Sequence, residues 1–385
     1  MKNLKIAIDI RMYGLKHAGI GRYIKNLIKQ IKKTERNNID FWLIVKSEDF
    51  SKIKKELGNK FFYIQSNIKH YSIKEQLILP LVLMKEKFDL IHFPHFNVPI
   101  FYFDKYIVTI HDLIKHESKG VDTTTKNPIL YWFKYLNYHF VFWLAVKRAA
   151  KVIVPSKWVK KQLISKYPYL SGTKIVVIYE GVERKFTELK SKMRTKKILN
   201  KYNLKKPYLL YVGSVYPHKN LERLILGLRK LNQSLTKEKM INLIIVCARS
   251  IFLERLNKVI KNYKAQNFTK CLGFVNDEDL AMLYRQALSF ITPSLMEGFG
   301  LPGLEAMAAG CPVLSSRRSC LPEIYGKSAL FFNPLDIDDI ANKINTISSS
   351  EIKRQQLIRM GKQRVKRFSW QKTKDQTLQV YKKSL

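Results

Sequence analysis

The sequence is short of acidic residues: it has 30 aspartates and glutamates against 70 lysines and arginines, which gives a formal net charge of +40. Three explanations stay open. The lysines coat a solvated surface in a chain rich in Lys, Ile and Asn, or they attract an anionic membrane, or they bind nucleic acid. No helix-turn-helix, zinc-finger or aromatic RNA-binding signature occurs, so we expect no nucleic-acid partner.

Cysteines and secretion signals are also scarce. The four cysteines show no C-x-x-C pairing, and three lie in or beside apolar runs, which predicts buried, reduced thiols rather than a disulfide framework. Residues 1–9 lack an apolar stretch long enough for a signal peptide and are predicted to form a first strand. We therefore expect a cytoplasmic protein. The chain has 385 residues, which is long enough for two domains with cores, and at 46% hydrophobic residues we expect it to be ordered.

Short apolar segments alternate with helical patterns along both halves, which is typical of parallel sheets covered by helices. The predicted strands cover residues 5–9, 41–45, 90–92, 107–110, 152–154 and 175–178, then 208–212, 243–246, 270–272, 289–292 and 313–315. A glycine loop over residues 14–21 precedes a helix predicted over 23–31. The basic segment near 184–206 is interpreted as an interdomain connection. The fold class is α/β, with two Rossmann-like α/β/α domains over residues 1–185 and 206–368.

An aromatic segment, Tyr131–Trp143, has two interpretations. It contains Lys134, Asn137 and His139 and is short for a membrane span, so a transmembrane helix is not expected. Either the segment packs on the first domain, or it lies in a membrane interface with its tyrosines and tryptophans at headgroup level.

The most informative motif is Glu297-Gly-Phe-Gly-Leu-Pro-Gly-Leu-Glu305, which follows an apolar strand and begins an Ala-rich helix. Its two carboxylates flank a glycine-rich turn at the predicted carboxyl edge of a sheet, where α/β folds bind phosphorylated ligands. The motif indicates an enzyme that binds a nucleotide-linked substrate.

A second motif, Gly213-Ser-Val-Tyr-Pro-His-Lys219-Asn220, places a lysine between a glycine turn and a helix start that Asn220 is predicted to cap. A lysine there adds a full charge to the partial charge of the helix dipole, so Lys219 can stabilise a diphosphate. The alternative is an ordinary surface lysine.

Other polar motifs are ambiguous. His111-Asp112 at the end of a strand is either a site or a structural pair. His92 and His95 are spaced for a metal, but no nearby Cys or carboxylate completes a zinc site. The clusters at 277–279 and 336–339 precede helices and are interpreted as caps rather than metal ligands. Gly19-Ile-Gly21 lacks the third glycine of a dinucleotide fingerprint, which argues against an NAD enzyme.

Taken together, the motifs Ala18–Tyr23, Thr109–Asp112, Val154–Ser156, Val212–Asn220, Gly273–Val275 and Glu297–Val313 resemble the group 1 family of retaining glycosyltransferases (glycosyltransferase family 4) over nearly the whole chain. The resemblance implies the GT-B fold, with the two domains facing each other across a cleft and the C-terminal helix, about 369–385, packing on the first domain. It also implies a nucleotide-sugar donor and no metal cofactor.

The resemblance assigns roles residue by residue. It implies that Glu305 binds the donor ribose, that Glu297 and His111 contact the transferred sugar and that Lys219 holds the diphosphate, with His111, Lys219 and Glu297 as the catalytic set. The remaining donor contacts are expected from Gly19 and Gly21, which let the first domain close, and from Gly213, Ser214, Phe274, Val275, Phe299, Gly300 and Leu301.

One position departs from the family pattern, since Ser214 stands where many members carry an arginine. Either Arg249 or Arg223 compensates, or the site uses Lys219 and backbone donors. The resemblance is to mannosyltransferase-type members, so GDP-mannose is the first expected donor and UDP-hexoses come next. The expected acceptor is a glycan or polyprenyl-linked sugar at an anionic membrane, in surface-polysaccharide assembly. The alternatives are an epimerase or phosphorylase of related fold, or a non-catalytic membrane- or RNA-binding protein.

Overall fold

The computed structural model describes residues 3–35, 38–117, 128–187, 192–247 and 252–385. The described chain forms two compact units, the first from residues up to 117, from 128 to 181 and from 370 to 385, and the second from residues 182–369. Arg249 lies outside the described residues. Within them, no helix combines the length and the apolar composition needed to cross a bilayer.

A seven-stranded parallel sheet forms the centre of the first unit, in the order β3-β2-β1-β4-β5-β6-β7. Its strands are β1 (Leu4–Asp9), β2 (Ile39–Lys46), β3 (Phe62–Ser66), β4 (Leu90–Phe93), β5 (Tyr106–Thr109), β6 (Lys151–Val154) and β7 (Ile175–Val177). The order reverses between β1 and β4, so the carboxyl ends of these two strands form a topological switch point.

Helices cover both faces of this sheet. They are α1 (Ala18–Lys32), α2 (Phe50–Leu57), α3 (Ile73–Lys85), α4 (Ile114–Glu117), α5 (Pro128–Arg148), α6 (Lys157–Lys166) and, from the end of the chain, α15 (Trp370–Ser384). The apolar face of α1 and the side chains of Trp370, Val380 and Tyr381 on α15 join one buried cluster. The C-terminal helix therefore belongs to the core of the first unit.

The second unit has a six-stranded parallel sheet in the order β10-β9-β8-β11-β12-β13. Its strands are β8 (Tyr208–Val212), β9 (Asn242–Val246), β10 (Thr269–Leu272), β11 (Ser289–Thr292), β12 (Val313–Ser316) and β13 (Leu330–Phe332). Its helices are α7 (Lys192–Lys201), α8 (Leu221–Gln233), α9 (Leu253–Asn262), α10 (Asp277–Gln286), α11 (Leu301–Ala308), α12 (Leu321–Tyr325), α13 (Ile337–Ser349) and α14 (Glu351–Val365).

The basic segment after residue 184 packs on α10 of the second unit. Lys185 Nζ donates to Asp277 at 2.5 Å, and Lys201 Nζ donates to Asp279 at 2.5 Å. The side chain of Asn276, rather than of Asp277, caps α10 by accepting from Asp279 N, whereas Asp336 caps α13 as the sequence predicted. These acidic clusters thus serve in helix caps and ion pairs.

The glycine loop predicted over residues 14–21 was wrong in its second half, because α1 begins at Ala18 and includes Gly19 and Gly21 in its first turns. A Cβ on Gly21 would lie 1.9 Å from the carbonyl oxygen of Gly14, whereas one on Gly19 would meet no atom within 4 Å. Position 21 therefore requires glycine because the backbone of Gly14 packs directly against it, and no flexible loop is needed to explain this glycine.

The aromatic segment lies in α5, and its described side chains divide between the core and the surface. Phe142 is fully buried, and the ring of Tyr138 packs 4.9 Å from that of Phe96. Trp132, Leu136 and Phe140 are exposed. Packing on the first unit, one of the two interpretations, explains the inner face of this helix.

Candidate active site

Two neighbouring strands of the second unit end in the loops that contain Lys219 and Glu297. β8 and β11 pair in parallel at the centre of the sheet, and the strand order runs in opposite directions on either side of them. Both strands are followed by a loop and a helix, α8 and α11 respectively. Because ligands bind at such a switch point in open α/β sheets, the predicted residues lie where a phosphorylated ligand would bind.

Lys219 and Glu297 form a largely buried ion pair. Lys219 Nζ lies 2.6 Å from Glu297 Oε1, and the two side chains are 14% and 17% exposed. Ser294 Oγ donates to the same carboxylate oxygen at 2.7 Å, and Ser319 Oγ accepts from the backbone N of Glu297 at 3.0 Å. Glu297 is therefore fixed at its carboxylate by Lys219 and Ser294, and at its backbone by Ser319.

Opposing influences act on the pKa of Glu297. Burial alone would raise it, but the charge of Lys219 and the hydrogen bonds from Lys219 and Ser294 bring the pKa below its ordinary value. Burial and the charge of Lys219 lower the pKa of the adjacent His218 to about 4. At neutral pH Glu297 is therefore a carboxylate and His218 a neutral imidazole.

Asn220 joins three loops at this edge of the sheet. Its backbone is left-handed, with φ 58° and ψ 34°, and its side chain does not cap α8, so the predicted capping role was wrong. Its Nδ2 instead donates to Pro293 O at 3.2 Å and to Pro334 O at 2.7 Å, which lie after β11 and β13. This residue therefore fixes the position of the neighbouring Lys219 by cross-linking loops, and the first N–H groups of α8 are left without a side-chain acceptor from Asn220.

The glycine turn before α11 is shaped by Tyr325. Gly300 has φ +89°, and Tyr325 Oη donates to its carbonyl oxygen at 2.6 Å. A Cβ on Gly300 would lie 2.7 Å from Tyr325 Oη, and one on Gly303 would lie 2.2 Å from it. Packing against Tyr325 therefore requires glycine at both positions. This requirement holds whether or not a ligand also approaches this backbone.

The other residues of this motif lie next to the turn or on the helix that follows it. Phe299 is buried, with its ring 5.8 Å from that of Phe368, and Leu301 is the first residue of α11. Glu305 lies on the same helix and is 4% exposed. Burial, followed by the charges of Glu297 and, more weakly, of Glu305, raises the pKa of Tyr325 well above its ordinary value. The charges of both carboxylates of the motif thus act on one buried tyrosine.

Of the predicted contacts, Gly213 and Ser214 lie in the loop after β8 that also contains Lys219, and Phe274 and Val275 lie in the loop after β10. Gly213 N donates to Val246 O at 3.0 Å, and Tyr211 Oη donates to Ser214 O at 2.5 Å. Phe274 is 61% exposed, whereas Val275 is buried. Arg223, one of the two arginines considered as a substitute at position 214, donates to Asn220 Oδ1 at 3.0 Å.

The remaining predicted catalytic residue, His111, lies at the carboxyl edge of the first unit's sheet. Its Nε2 is 3.0 Å from Pro94 O, and its Nδ1 is 3.6 Å from Glu180 Oε1. The ring of Tyr23 meets it edge to face at 4.9 Å. His111 is thus oriented by the carbonyl of Pro94 and the ring of Tyr23, and the carboxylate of Glu180 lies nearby.

The two histidines with metal-like spacing have different surroundings. His92 is buried between Tyr381 Oη at 2.7 Å and Thr109 Oγ1 at 2.8 Å, and His95 Nε2 lies 3.3 Å from Tyr71 Oη. Among the described residues, no three His, Cys, Asp or Glu side chains cluster as a metal site would require.

Comparison with known proteins agrees with this layout. Residues 17–186 match the family described as Glycosyltransferase Family 4, and residues 193–364 match the family described as Glycosyl transferases group 1. The second half of the chain thus matches the group 1 family of glycosyltransferases and the first half matches glycosyltransferase family 4. The two matches fall one in each structural unit and together take up most of the chain.

The chain is similar to two O-antigen enzymes over about half of their length. It is 36% identical over 188 residues to O-antigen chain mannosyltransferase B of Escherichia coli, an alignment that covers 48% of each protein. It is 31% identical over 200 residues to O-antigen chain mannosyltransferase RfbU of Salmonella typhimurium, covering 52% of this chain and 51% of the relative.

Solved structures of similar architecture show the fold of the chain. The Anabaena protein HepE, in complex with UDP and glucose, superposes with a TM-score of 0.77 at 17% identity, covering 99% of this chain and 100% of that one. The architecture is GT-B, with two Rossmann-like units built on parallel sheets.

Four residues of the site were not predicted from the sequence. Ser294 and Ser319 position Glu297, Tyr325 shapes the glycine turn, and Glu180 lies beside His111. Ser294 is three positions before Glu297, which is a signal that could have been used. Ser319 and Tyr325 lie in or just after the loop that follows β12, and only the fold brings that loop beside the motif.

Proposed function

We propose that this protein is a retaining hexosyltransferase that moves a sugar, with mannose favoured, from a nucleotide-diphospho-sugar to a glycan or polyprenyl-linked acceptor. The proposed setting is the assembly of a surface polysaccharide such as the O-antigen of lipopolysaccharide. The names of the two mannosyltransferase relatives support this choice of sugar and setting.

One observation supports the proposal above the others, namely the Lys219–Glu297 ion pair at the central switch point of the second sheet. In this arrangement an ammonium group stands just before α8, whose N-terminus also favours an anion. An arriving diphosphate competes with Glu297 for Lys219. The released carboxylate oxygens can then accept hydrogen bonds from the hydroxyl groups of the sugar. The pair thus keeps both groups charged and in position before the donor binds.

The proposed reaction breaks the bond between C1 of the sugar and the oxygen of the diphosphate, whose leaving oxygen keeps the electron pair. Lys219 and the N-terminal N–H groups of α8 stabilise the charge that develops on this oxygen. The acceptor hydroxyl forms the new bond to C1 on the face that the diphosphate leaves, and its proton passes to the departing phosphate. The anomeric configuration is therefore retained.

We propose the other donor contacts on the basis of the family resemblance. We assign Glu305, buried in α11, to the ribose hydroxyls, and the N–H groups at Phe299, Gly300 and Leu301 to the sugar and phosphate. Gly213 and Ser214 would face the diphosphate, and the backbone of Phe274 and Val275 the base. In the first unit, His111 would contact the sugar, and Gly19 and Gly21 lie in the first turns of α1.

We expect no metal requirement, because Lys219 and the helix N-terminus supply positive charge to the diphosphate. GDP is the first expected nucleotide and UDP the second. We place the protein in the cytoplasm, on the inner face of the cell membrane, where a polyprenyl-linked acceptor would be anchored.

A thermal-unfolding screen with GDP, UDP, ADP and their sugar conjugates, in the presence of a chelator, tests the proposal. A rise in Tm with one nucleotide that is lost in Lys219→Ala supports donor binding at this site. The absence of any shift across the whole set would count against a nucleotide-sugar enzyme. Conversion of the donor sugar without any acceptor would instead support an epimerase.

A further inference from the structure

Helix α3 of the first unit carries an apolar stripe on its solvent side. Ile73, Leu77, Leu81 and Met84 follow one another at spacings of four, four and three residues, which places them along one face of a helix. All four are exposed, Ile73 by 78% and Leu81 by 67%, and Ile78 beside them is exposed as well. A helix of a soluble protein normally turns such a stripe toward the core.

The opposite side of α3 packs in the core of the first unit. Leu79 and Leu83 are fully buried in its apolar cluster. Glu75 is also buried and accepts from Arg11 Nη2 at 2.7 Å and from the backbone N of Tyr71 at 2.6 Å. The helix is therefore fixed by its inner face, and the outer stripe cannot turn inward without breaking a buried ion pair.

A second pair of exposed apolar side chains is attached to this helix. Phe101 is 46% exposed and Phe103 is 68% exposed, on either side of the buried Tyr102. The loop is held by Gln76 of α3, whose Oε1 accepts from Ile100 N at 2.8 Å. The two phenylalanines thus lie on a loop hydrogen-bonded to α3.

Arg148, at the end of α5, holds the same loop from its other side. Its Nη1 donates to Ile100 O at 2.6 Å, its Nη2 donates to Tyr102 O, and its guanidinium lies 4.5 Å from the centre of the Phe103 ring. Since both exposed rings belong to a loop tied at two points, their exposure is a fixed feature of the surface.

The exposed charges of α3 are positive. The only acidic residue of α3, Glu75, is buried with Arg11, while Lys74 and Lys85 are exposed. Lys69 and Lys87, just outside the helix ends, are exposed too. An apolar stripe bordered by long cationic side chains is typical of a helix that lies in the interface of an anionic bilayer.

We infer that the α3 surface, defined as Ile73, Leu77, Ile78, Leu81 and Met84 together with Phe101 and Phe103, docks on an anionic lipid bilayer. The apolar side chains enter the boundary between headgroups and acyl chains, and the flanking lysines contact the lipid phosphates. This inference rests on the proposed function and deepens its membrane-anchored acceptor by naming the surface of the first unit that would rest on the membrane.

Co-sedimentation of the full chain with vesicles tests the inference. The vesicles contain phosphatidylcholine alone or with about one-third phosphatidylglycerol, at about 0.15 M salt. We expect the double variant Leu77→Gln/Leu81→Gln to lower the partition coefficient on anionic vesicles about tenfold. Ile352→Gln is the matched control, because Ile352 is 85% exposed but lies on α14 of the second unit; its binding should stay within about twofold of wild type.

A second pair of substitutions tests the charges. Lys74→Glu/Lys85→Glu should lower binding to anionic vesicles about tenfold and leave binding to phosphatidylcholine nearly unchanged. Equal binding by the wild type and by Leu77→Gln/Leu81→Gln would overturn the inference, as would a wild type that ignores anionic vesicles.

Light scattering without lipid separates the bilayer from a protein partner. If the wild type is a dimer that Leu77→Gln/Leu81→Gln converts to a monomer, the α3 surface is a contact between copies and the inference is wrong. The rise in Tm with nucleotide, measured on the same variants, should be unchanged. If only the membrane surface were wrongly assigned, the wild type and the variants would still show this rise in Tm. If the proposed function were wrong, even the wild type would show no rise.

Discussion

Lys219 and Glu297, which are 78 positions apart in the sequence, meet in a 2.6 Å ion pair between the loops that follow β8 and β11. The pair is built from both sides: Asn220 ties the lysine loop to the loops after β11 and β13, and Ser294 and Ser319 bind the glutamate. A preorganised cation next to a helix N-terminus is what a departing diphosphate requires.

Loss of this cation should slow the reaction. We expect Lys219→Ala to lower turnover by about 10²-fold or more, on the scale of losing one key oxyanion donor. Steady-state kinetics with the preferred donor measures the change. Lys230→Ala is the matched control, because Lys230 is a lysine of α8 whose pairing with Asp338 is largely exposed. Near-normal turnover in Lys219→Ala would refute its assigned role.

The buried carboxylate of α11 should act mainly on donor binding. Glu305→Ala is expected to raise the KM for the donor about tenfold with a smaller change in kcat, because it removes contacts made equally in the ground and transition states. Glu222→Ala, on an exposed position of α8, should change neither constant. An unaltered donor KM in Glu305→Ala would speak against the ribose assignment.

Packing of Tyr325 against the glycine turn should make Gly303 irreplaceable. In an open helix Gly→Ala would stabilise by about 1 kcal/mol, but in α11 the new Cβ would lie 2.2 Å from Tyr325 Oη and 2.3 Å from its Cζ. Because Tyr325 is fully buried and cannot move aside, we expect Gly303→Ala to lower the free energy of unfolding by about 1–3 kcal/mol.

Urea titration measures this change, and Gly172→Ala serves as the control because a Cβ on Gly172 meets no atom within 4 Å. If Gly303→Ala were as stable as Gly172→Ala, packing against Tyr325 would not be the reason for a glycine at position 303.

Acid should destabilise the first unit through a buried histidine. Burial, with a smaller effect of His111, lowers the pKa of His92 from 6.5 to about 3. Below the pKa of His92 in the unfolded state, the unfolded chain takes up a proton that the folded chain does not. The free energy of unfolding is therefore highest above that pKa, and it falls as the pH drops toward the pKa of the folded state. The slope is up to about 1.4 kcal/mol per pH unit for this one residue.

Urea titrations at about pH 7 and about pH 5 measure this slope. His92→Gln cannot take up the proton, so its free energy of unfolding should fall less between the two pH values than that of the wild type. Equal decreases in both proteins would contradict a neutral, buried His92.

Most of the fold could be predicted from the sequence, and the two strands that were missed show why the rest could not. β3 and β13 are edge strands, which pair on one side only, and β13 has just three residues. In β3, every residue before the last one, Ser66, is at least partly exposed, so the strand lacks the continuous apolar run of a central strand. Central strands such as β1 and β8 were found because both of their faces are buried.

The residues of the site likewise divide into those that could be predicted from the sequence and those that only the fold brings together. Lys219, Glu297 and Glu305 could be located individually, since each stands at a recognisable strand-to-helix turn. Their arrangement depends on the left-handed backbone of Asn220, on Ser319 from the loop after β12 and on Tyr325 at the end of α12. The exposed stripe of α3 was missed for the opposite reason, because an apolar helix pattern ordinarily predicts burial.

The stereochemistry of the transferred sugar tests the account most directly. The full chain would be incubated with GDP- and UDP-hexoses and a polyprenyl-linked glycan acceptor, and the anomeric configuration of the product would be read by NMR. The account predicts transfer from one α-linked donor to give an α-linked product, with release of the nucleoside diphosphate and a strong decrease in Lys219→Ala. A β-linked product, or a wild type that binds the nucleotide but transfers no sugar from any of these donors, would contradict it.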